Sequence, residues 1–476
     1  MAQPDPLTLT SLILYSYLDS QQLIEKSEKT MKRIFLFAAA MLISTAVVAQ
    51  SFNEWKIIHA GTLLADAREE TKTEQSIVIR NNVIVEIRDG YVSPSQVSGA
   101  GNAKVIDLKT QFVMAGLIDS HTHILSQQEA NGREIRVTRS SEFSTLMGVE
   151  FGMRTLRAGF TTIRNVGADR NAIFALRDAI NQGIVMGPRI KAAGQGLSPT
   201  GGHGDAGGFR DDIFGHPHSG ICDGMAECRK AVRTQIKYGA DHIKYVATGG
   251  VLSQTATGTG QQFTDEEQVA LVQAAHAMGR KVAAHAHGKI GLEAALRAGV
   301  DSIEHGSYLD EGTAKLFVAT GAYYVPTLIA GYTVARIATE RPEFFVPAVR
   351  QKALEVGPIM KNALRIAYEN NVKIAFGTDA GVNDHGTNAY EMVLMSEAGM
   401  PERDILISAT VNAADLMDLT DITGTIEAGK DADIIASQDS PLESIATLLK
   451  PTFVMARGNE INLDVPPIDL FPWPNL

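Results

Sequence analysis

Cysteine is nearly absent. Cys222 and Cys228 are the only two in 476 residues, which makes a thiolate metal site the weaker reading. In an oxidising compartment the two could form a disulfide, but a spacing of six leaves the geometry open. A basic excess is also missing. Asp and Glu (54) outnumber Lys and Arg (43), for a net charge of −11. Nothing in that balance suggests the basic patch that nucleic-acid recognition uses. No interior apolar run is long and charge-free enough to span a bilayer. What remains is globular composition, 45% hydrophobic and 20% charged, with more core-forming residues than one small domain needs.

The first fifty residues stand apart. Met31-Lys32-Arg33 precedes an apolar run from Ile34 to Val48, followed by Ala49-Gln50. A basic start, an apolar stretch and small residues at Val47 and Ala49 make a secretory signal, cut after Ala49. The run is short for a membrane anchor, and no cysteine follows it to carry a lipid. Residues 31–49 are read as the signal, Met31 as the initiator and residues 1–30 as a mis-assigned upstream extension. The expected location is periplasmic or secreted, with no membrane attachment after cleavage.

Beyond that the texture changes twice. Residues 50–113 and 421–476 are rich in β-branched residues with turn signals such as Arg80-Asn81-Asn82. They predict a small β-sandwich built from both chain ends. Between them, residues 114–420 alternate apolar strands with amphipathic helices. Candidate strands fall at 115–123, 161–167, 189–197, 242–250, 281–288, 301–308, 322–328 and 372–381. Helices end at Gly159, Gly239, Gly279, Gly299, Gly321 and Asn371, residues that tolerate a left-handed stop. Thr264-Asp265-Glu266-Glu267 reads as a helix start. Strand–helix alternation implies parallel pairing, and eight units predict a (β/α)8 TIM-like barrel with its chemistry at the C-terminal strand ends. An open doubly wound sheet is the alternative, but no GxGxxG follows the first strand.

Polar residues collect at those strand ends. His121 and His123 close the first, and residues i and i+2 of a strand share a face. Two converging imidazoles can take one transition metal, or they can be a surface pair on a turn. Lys244 closes the fourth strand, His285 the fifth with His287 beyond it, His305 the sixth and Asp379 the eighth.

This set resembles the amidohydrolase superfamily. The phrases TGGHGD, IKYVATGG, AHAHG, DSIEHG and AFGTDAG are similar to its branch of Xaa-Pro dipeptidases and imidazolonepropionase-like proteins. The resemblance covers residues 55–460. It implies two divalent ions, zinc by expectation, bridged by a carboxylated lysine at Lys244. His121, His123 and Asp379 would bind one ion, His285 and His305 the other. Asp379 would be the catalytic base and then acid of a metal-assisted hydrolysis. For the fifth strand the alternative is His287 as ligand, with His285 in the core; the strand-end position favours His285. His287, His203 in its glycine-rich loop and Tyr324 are then candidates to bind substrate. The competing possibility for His203 is a stray loop histidine, and for Tyr323 and Tyr324 a core role. His385 could serve either purpose. His216, His218, His242 and His276 read as surface or packing residues.

The implied reaction cuts a peptide or amide bond next to a C-terminal amino acid, on a small peptide or N-acyl amino acid. A homo-oligomer is compatible with this. A mononuclear deaminase or imidazolone-type cyclic amide hydrolase is the alternative, which lacks a bridging lysine. A non-enzymatic scaffold is a third reading, but it would be expected to have lost ligands, and none is missing.

Overall fold

The computed structural model describes residues 54–129, 132–205, 220–254 and 257–466. The upstream extension and signal read in residues 1–49 lie outside these, as do His216 and His218. The first described strands form a hairpin array. Strand β1 (Trp55–Leu64) pairs antiparallel with β2 (Lys72–Arg80), which turns at Asn81 into β3 (Val83–Asp89). Asn81 has φ +58° there, a conformation that asparagine tolerates better than most residues. Strand β4 (Lys104–Ala115) runs parallel to β1 across a bulge between Ala60 and Thr62. At that bulge only glycine fits, because a Cβ on Gly61 would lie 2.2 Å from the Lys109 carbonyl oxygen.

The chain then enters its central layer. β5 (Leu117–Thr122), β6 (Phe160–Asn165) and β7 (Arg189–Ala192) make a three-stranded parallel sheet. β8 (Ile243–Val246), β9 (Val282–Ala286), β10 (Ser302–His305) and β11 (Tyr323–Val325) make a four-stranded one, also parallel. Every residue of β5, β6, β8, β9 and β10 is buried, as parallel strands covered on both faces must be. Helices fill the crossovers: α1 (Gly132–Thr138) and α2 (Ser141–Arg157) after β5, then α3 (Arg170–Asn181), α4 (Gly224–Lys237), α5 (Asp265–His276), α6 (Lys289–Ala298) and α7 (Glu311–Thr320). After β11 come α8 (Leu328–Glu340) and α9 (Pro347–Glu369). The helix stops read in the sequence all hold positive φ, from +59° at Asn371 to +108° at Gly239. Thr264 caps α5, its hydroxyl accepting from the Glu267 amide.

The two parallel sheets are not one closed ladder. Among the described residues a single parallel bridge, Leu197 to Tyr245, joins β7's continuation to β8. The expected eighth strand, 372–381, is not a regular strand. It is held between its neighbours by two bridges, Ile374 to Tyr324 and Ala380 to Thr122. The physical reason lies within the segment. Gly377 is wedged so that a Cβ would sit 2.4 Å from Val325 and 3.0 Å from His121, and Asp379 adopts φ +61°. A strand ladder cannot run through that conformation.

The β-rich ends do meet, but in a single sheet where a sandwich was expected. β12 (Ile434–Ser437) pairs with the second half of β4 and with β13 (Phe453–Ala456), which pairs with β14 (Asn459–Glu460). The seven strands run β14-β13-β12-β4-β1-β2-β3. The twelve-residue β4 is the reason: it is long enough to bond β1 along its length and β12 at its end. Ile58, Leu63, Ile79, Ile434 and Met455 form the apolar cluster on this sheet.

Candidate active site and metal centre

The predicted strand-end residues converge. His121, His123, Lys244, His285, His287, His305 and Asp379 all line one cavity of about 640 Å³. Their donor atoms fall into two close trios, His285–His287–His305 and His121–His305–Asp379, each with all atoms within 4.8 Å. Asp379 Oδ1 lies 3.3 Å from His121 Nε2 and 3.2 Å from His123 Nε2. Strand alternation brings these imidazoles to one side, and the left-handed turn at Asp379 returns the carboxylate to them. His305 (φ +74°) and Thr327 (φ +52°) are also left-handed, and non-glycine residues in this region cluster at functional sites.

Each of four imidazoles is held through its Nδ1. His121 Nδ1 is 2.7 Å from Glu304 Oε2, and His123 Nδ1 is 2.8 Å from the Gly167 carbonyl. His305 Nδ1 is 2.7 Å from Thr327 Oγ1, and His287 Nδ1 is 2.8 Å from Ser307 Oγ. A ligating histidine uses this device, with one nitrogen on an outer partner that fixes the ring and the other free for a metal. His285 has a buried Nε2 with no hydrogen-bond partner among the described residues, an orphan that an ion would satisfy. Burial, reinforced by neighbouring imidazoles, holds His285 and His305 well below the ordinary histidine range. Burial lowers His287 to about 3. All three are neutral at pH 7, the form that binds metal. Burial opposes ionisation of Asp379, yet His121 and His123 hold it well below the carboxylate range. The residues present therefore fit a cationic centre.

Lys244 is buried on the same cavity, and burial lowers its amine to about 8 against the opposite pull of Glu304 and Asp379. His203 stacks on His285 with ring centroids 4.5 Å apart and packs against Gly250, where a Cβ would lie 2.3 Å from its ring. Tyr324 is placed differently from the expected substrate group. It is fully buried and does not line the cavity, and its hydroxyl donates to the His305 carbonyl at 3.0 Å. Tyr323 donates to Asp415 at 2.7 Å. His385 is buried, with its Nε2 2.8 Å from the Ser126 carbonyl oxygen. His242 is buried and His276 pairs with Asp301.

Other residues of the site were not among the sequence candidates. Glu304 is fully buried and binds His121, Arg164 and Ser302. Arg164, in β6, also donates to the Ser120 carbonyl at 2.5 Å and to Ser302 Oγ at 3.1 Å. Asp119 accepts from the His121 and Thr378 amides, the Thr378 hydroxyl and Asn388. It thereby ties β5 to the irregular eighth segment. A charge inside a strand that the alternating pattern places in the interior was the available signal for Glu304 and Arg164.

The amidohydrolase family model matches residues 112–461. The chain belongs to the amidohydrolase family. It is a hydrolase acting on amide C–N bonds. Ochratoxinase of Aspergillus niger is 30% identical over 427 residues, covering 86% of each chain. Among solved structures, a Xaa-Pro dipeptidase with bound methionine in its active site is 41% identical, with a TM-score of 0.80, covering 86% of this chain and 99% of that one. A prolidase complexed with N-methylphosphonate-L-proline is 30% identical, with a TM-score of 0.77 and the same coverage.

Proposed function

We propose that this amidohydrolase carries two divalent ions, zinc by expectation, and cleaves the amide bond next to a C-terminal amino acid, in the manner of a Xaa-Pro dipeptidase or a carboxypeptidase of N-acyl amino acids. The observation that carries the reading is the pair of donor trios sharing His305, with Lys244 on the same cavity. The 41%-identical dipeptidase supports the substrate class. The two parallel sheets and the bridged segment 372–381 are read as a (β/α)8 barrel, since bridges span both seams between the sheets.

His121, His123 and Asp379 would hold one ion, His285 and His305 the second, with Lys244 between them as a carbamate. Bound ions would supply Lewis-acid polarisation and a nucleophile at neutral pH. Asp379, kept ionised beside His121 and His123, accepts the proton of the attacking water and delivers it to the leaving nitrogen. His203, and His287 as the member of its trio that the proposal leaves to substrate, reach the cavity and orient the substrate carboxylate or the developing oxyanion. Val251, Leu252, Val334, Val356 and Met360 give the cavity an apolar wall. Lys352 pins that wall, donating to the Gly250 and Ser253 carbonyls at 2.5 Å each.

The test is metal-loaded protein against dipeptides and N-acyl amino acids with varied C-terminal residues, with metal per chain counted in parallel. Two ions and release of a C-terminal amino acid are expected. One ion with ring opening or deamination would sink the proposal. His287→Asn and His203→Asn are expected to keep both ions and lose about 10²-fold in turnover, the cost of removing one stabilising donor. Loss of an ion from His287→Asn, with retention in His285→Asn, would reverse the ligand assignment.

Export to the periplasm or beyond is part of the proposal. Cys222 and Cys228 are paired as a disulfide, which suits an oxidising compartment. N-terminal sequencing of exported protein is expected to begin at Gln50. A mature product retaining residues 31–49 would overturn it.

A further inference from the structure

Helix α8 separates two cavities. Ala330, Gly331 and Val334 face the large one, while Ile329, Tyr332, Thr333 and Arg336 face a second of about 400 Å³. The two share no lining residue. The far wall of the second is the turn 383–387 with Tyr390. Nothing in the amide-hydrolysis proposal uses this space.

Its chemistry is specific. Asn383 is only 2% exposed. Its amide nitrogen donates to the Thr387 hydroxyl and the Asp384 carbonyl, at 3.2 and 3.4 Å, while its Oδ1 has no partner among the described residues. Arg336 lies over the Tyr332 ring, 5.8 Å from its centroid, with a buried Nε that has no hydrogen-bond partner among the described residues. Arg336 and Asp384 line the same cavity. They are close enough for the guanidinium to lower the acid's pKa, though burial outweighs it and raises the acid. Among the described residues they nevertheless form no ion pair. Arg154, the other cation acting on Asp384, is paired with Glu150 at 3.1 Å. The rings of Tyr332 and Tyr390 stand 5.6 Å apart at 55°.

A buried or half-buried charge is costly unless it is paired. Here one positive and one negative group share a cavity and leave each other unpaired, with an orphan acceptor beside them. A ligand that satisfies all three needs a carboxylate for Arg336, an ammonium for Asp384 with an N–H to spare for Asn383 Oδ1, and an apolar body for the tyrosine walls. That description is a free α-amino acid in its zwitterionic form.

We propose that this cavity is a second binding site, for a free amino acid. This is the chemical class of the product released under the proposed activity, and only that link rests on the proposed function.

The test is calorimetric titration of the metal-loaded full chain with three probes that carry no amide bond: L-leucine, 4-methylpentanoic acid without the ammonium, and 3-methylbutylamine without the carboxylate. Arg336→Gln and Asp384→Asn are titrated in parallel. L-Leucine is expected to show a saturable component that weakens at least tenfold in each variant and that neither analogue reproduces. Equal binding of the three probes to the unaltered chain would overturn the proposal, even if a variant failed to fold. So would a leucine component that survives in both variants, or one lost only with His203→Asn, which would place it in the large cavity. The titration requires no turnover, so its failure is separate from failure of the amide-hydrolase reading.

Discussion

Lys244→Ala protein is expected to lose metal and activity together, and to recover part of the activity when a short carboxylic acid is added in excess. The argument is one of donor count and charge. Zinc prefers about four donors, and five ordinary ligands (His121, His123, His285, His305 and Asp379) cannot comfortably hold two adjacent cations. An ammonium on that cavity would add positive charge where negative charge is needed. A carbamate reverses this: the neutral amine adds to the carbon of CO₂, the nitrogen loses one proton to solvent, and an anionic two-oxygen bridge results. Burial already moves the Lys244 amine towards neutrality, to about 8. A centre that supplies several kcal/mol of transition-state stabilisation would, at ~1.4 kcal/mol per decade, take about 10³-fold of turnover with it. Metal per chain, turnover with and without added acid, and the Lys244 side chain seen in electron density decide the matter. One tightly held ion with a bare amine would defeat the bridged centre.

The parts of this site that were legible in the sequence were those written in local spacing. His121 and His123 are two apart in a strand, so their shared direction follows from the pleat. Gly or Asn after each helix marked where a strand would begin, and hence which end of it held the chemistry. What could not be read depends on contacts distant in sequence or on local steric exceptions. Glu304 and Arg164 meet across 140 residues. The eighth strand has the right composition, but Gly377 and the left-handed Asp379 prevent a ladder. β4 merges both chain ends into one sheet because a single strand is long enough to bond both sides. Tyr324 could have faced either way from a three-residue strand, and its hydroxyl turned to the His305 backbone.

That unread pair leads to the largest expected stability effect. Arg164→Met is expected to destabilise the protein by about 3–5 kcal/mol, the usual cost of leaving one member of a buried ion pair uncompensated. Arg164 is 3% exposed and Glu304 0%, so water cannot replace the lost partner. The pH dependence has a definite sign. In the native protein burial alone would raise Glu304, but Arg164 and then His121 hold it below the carboxylate range. Its stabilisation is thus fully present above the unfolded value of about 4.3 and is lost only as pH falls through the depressed folded value. Without Arg164, burial prevails and the folded value rises. The variant's stability then falls as pH climbs from the unfolded value to the raised one, so the deficit is large at pH 7 and shrinks towards acid. Denaturant midpoints of the two proteins across that range test this; a deficit independent of pH would remove Glu304 from the explanation. Glu304→Gln separates stability from positioning. The amide oxygen can still accept from His121 Nδ1–H, but it leaves the ring's orientation weaker and Arg164 unpaired. Loss of such an outer partner typically costs 10–100-fold in metal affinity. Metal affinity unchanged in Glu304→Gln, measured where the variant remains folded, would confine Glu304 to holding the protein interior and take it out of the metal centre.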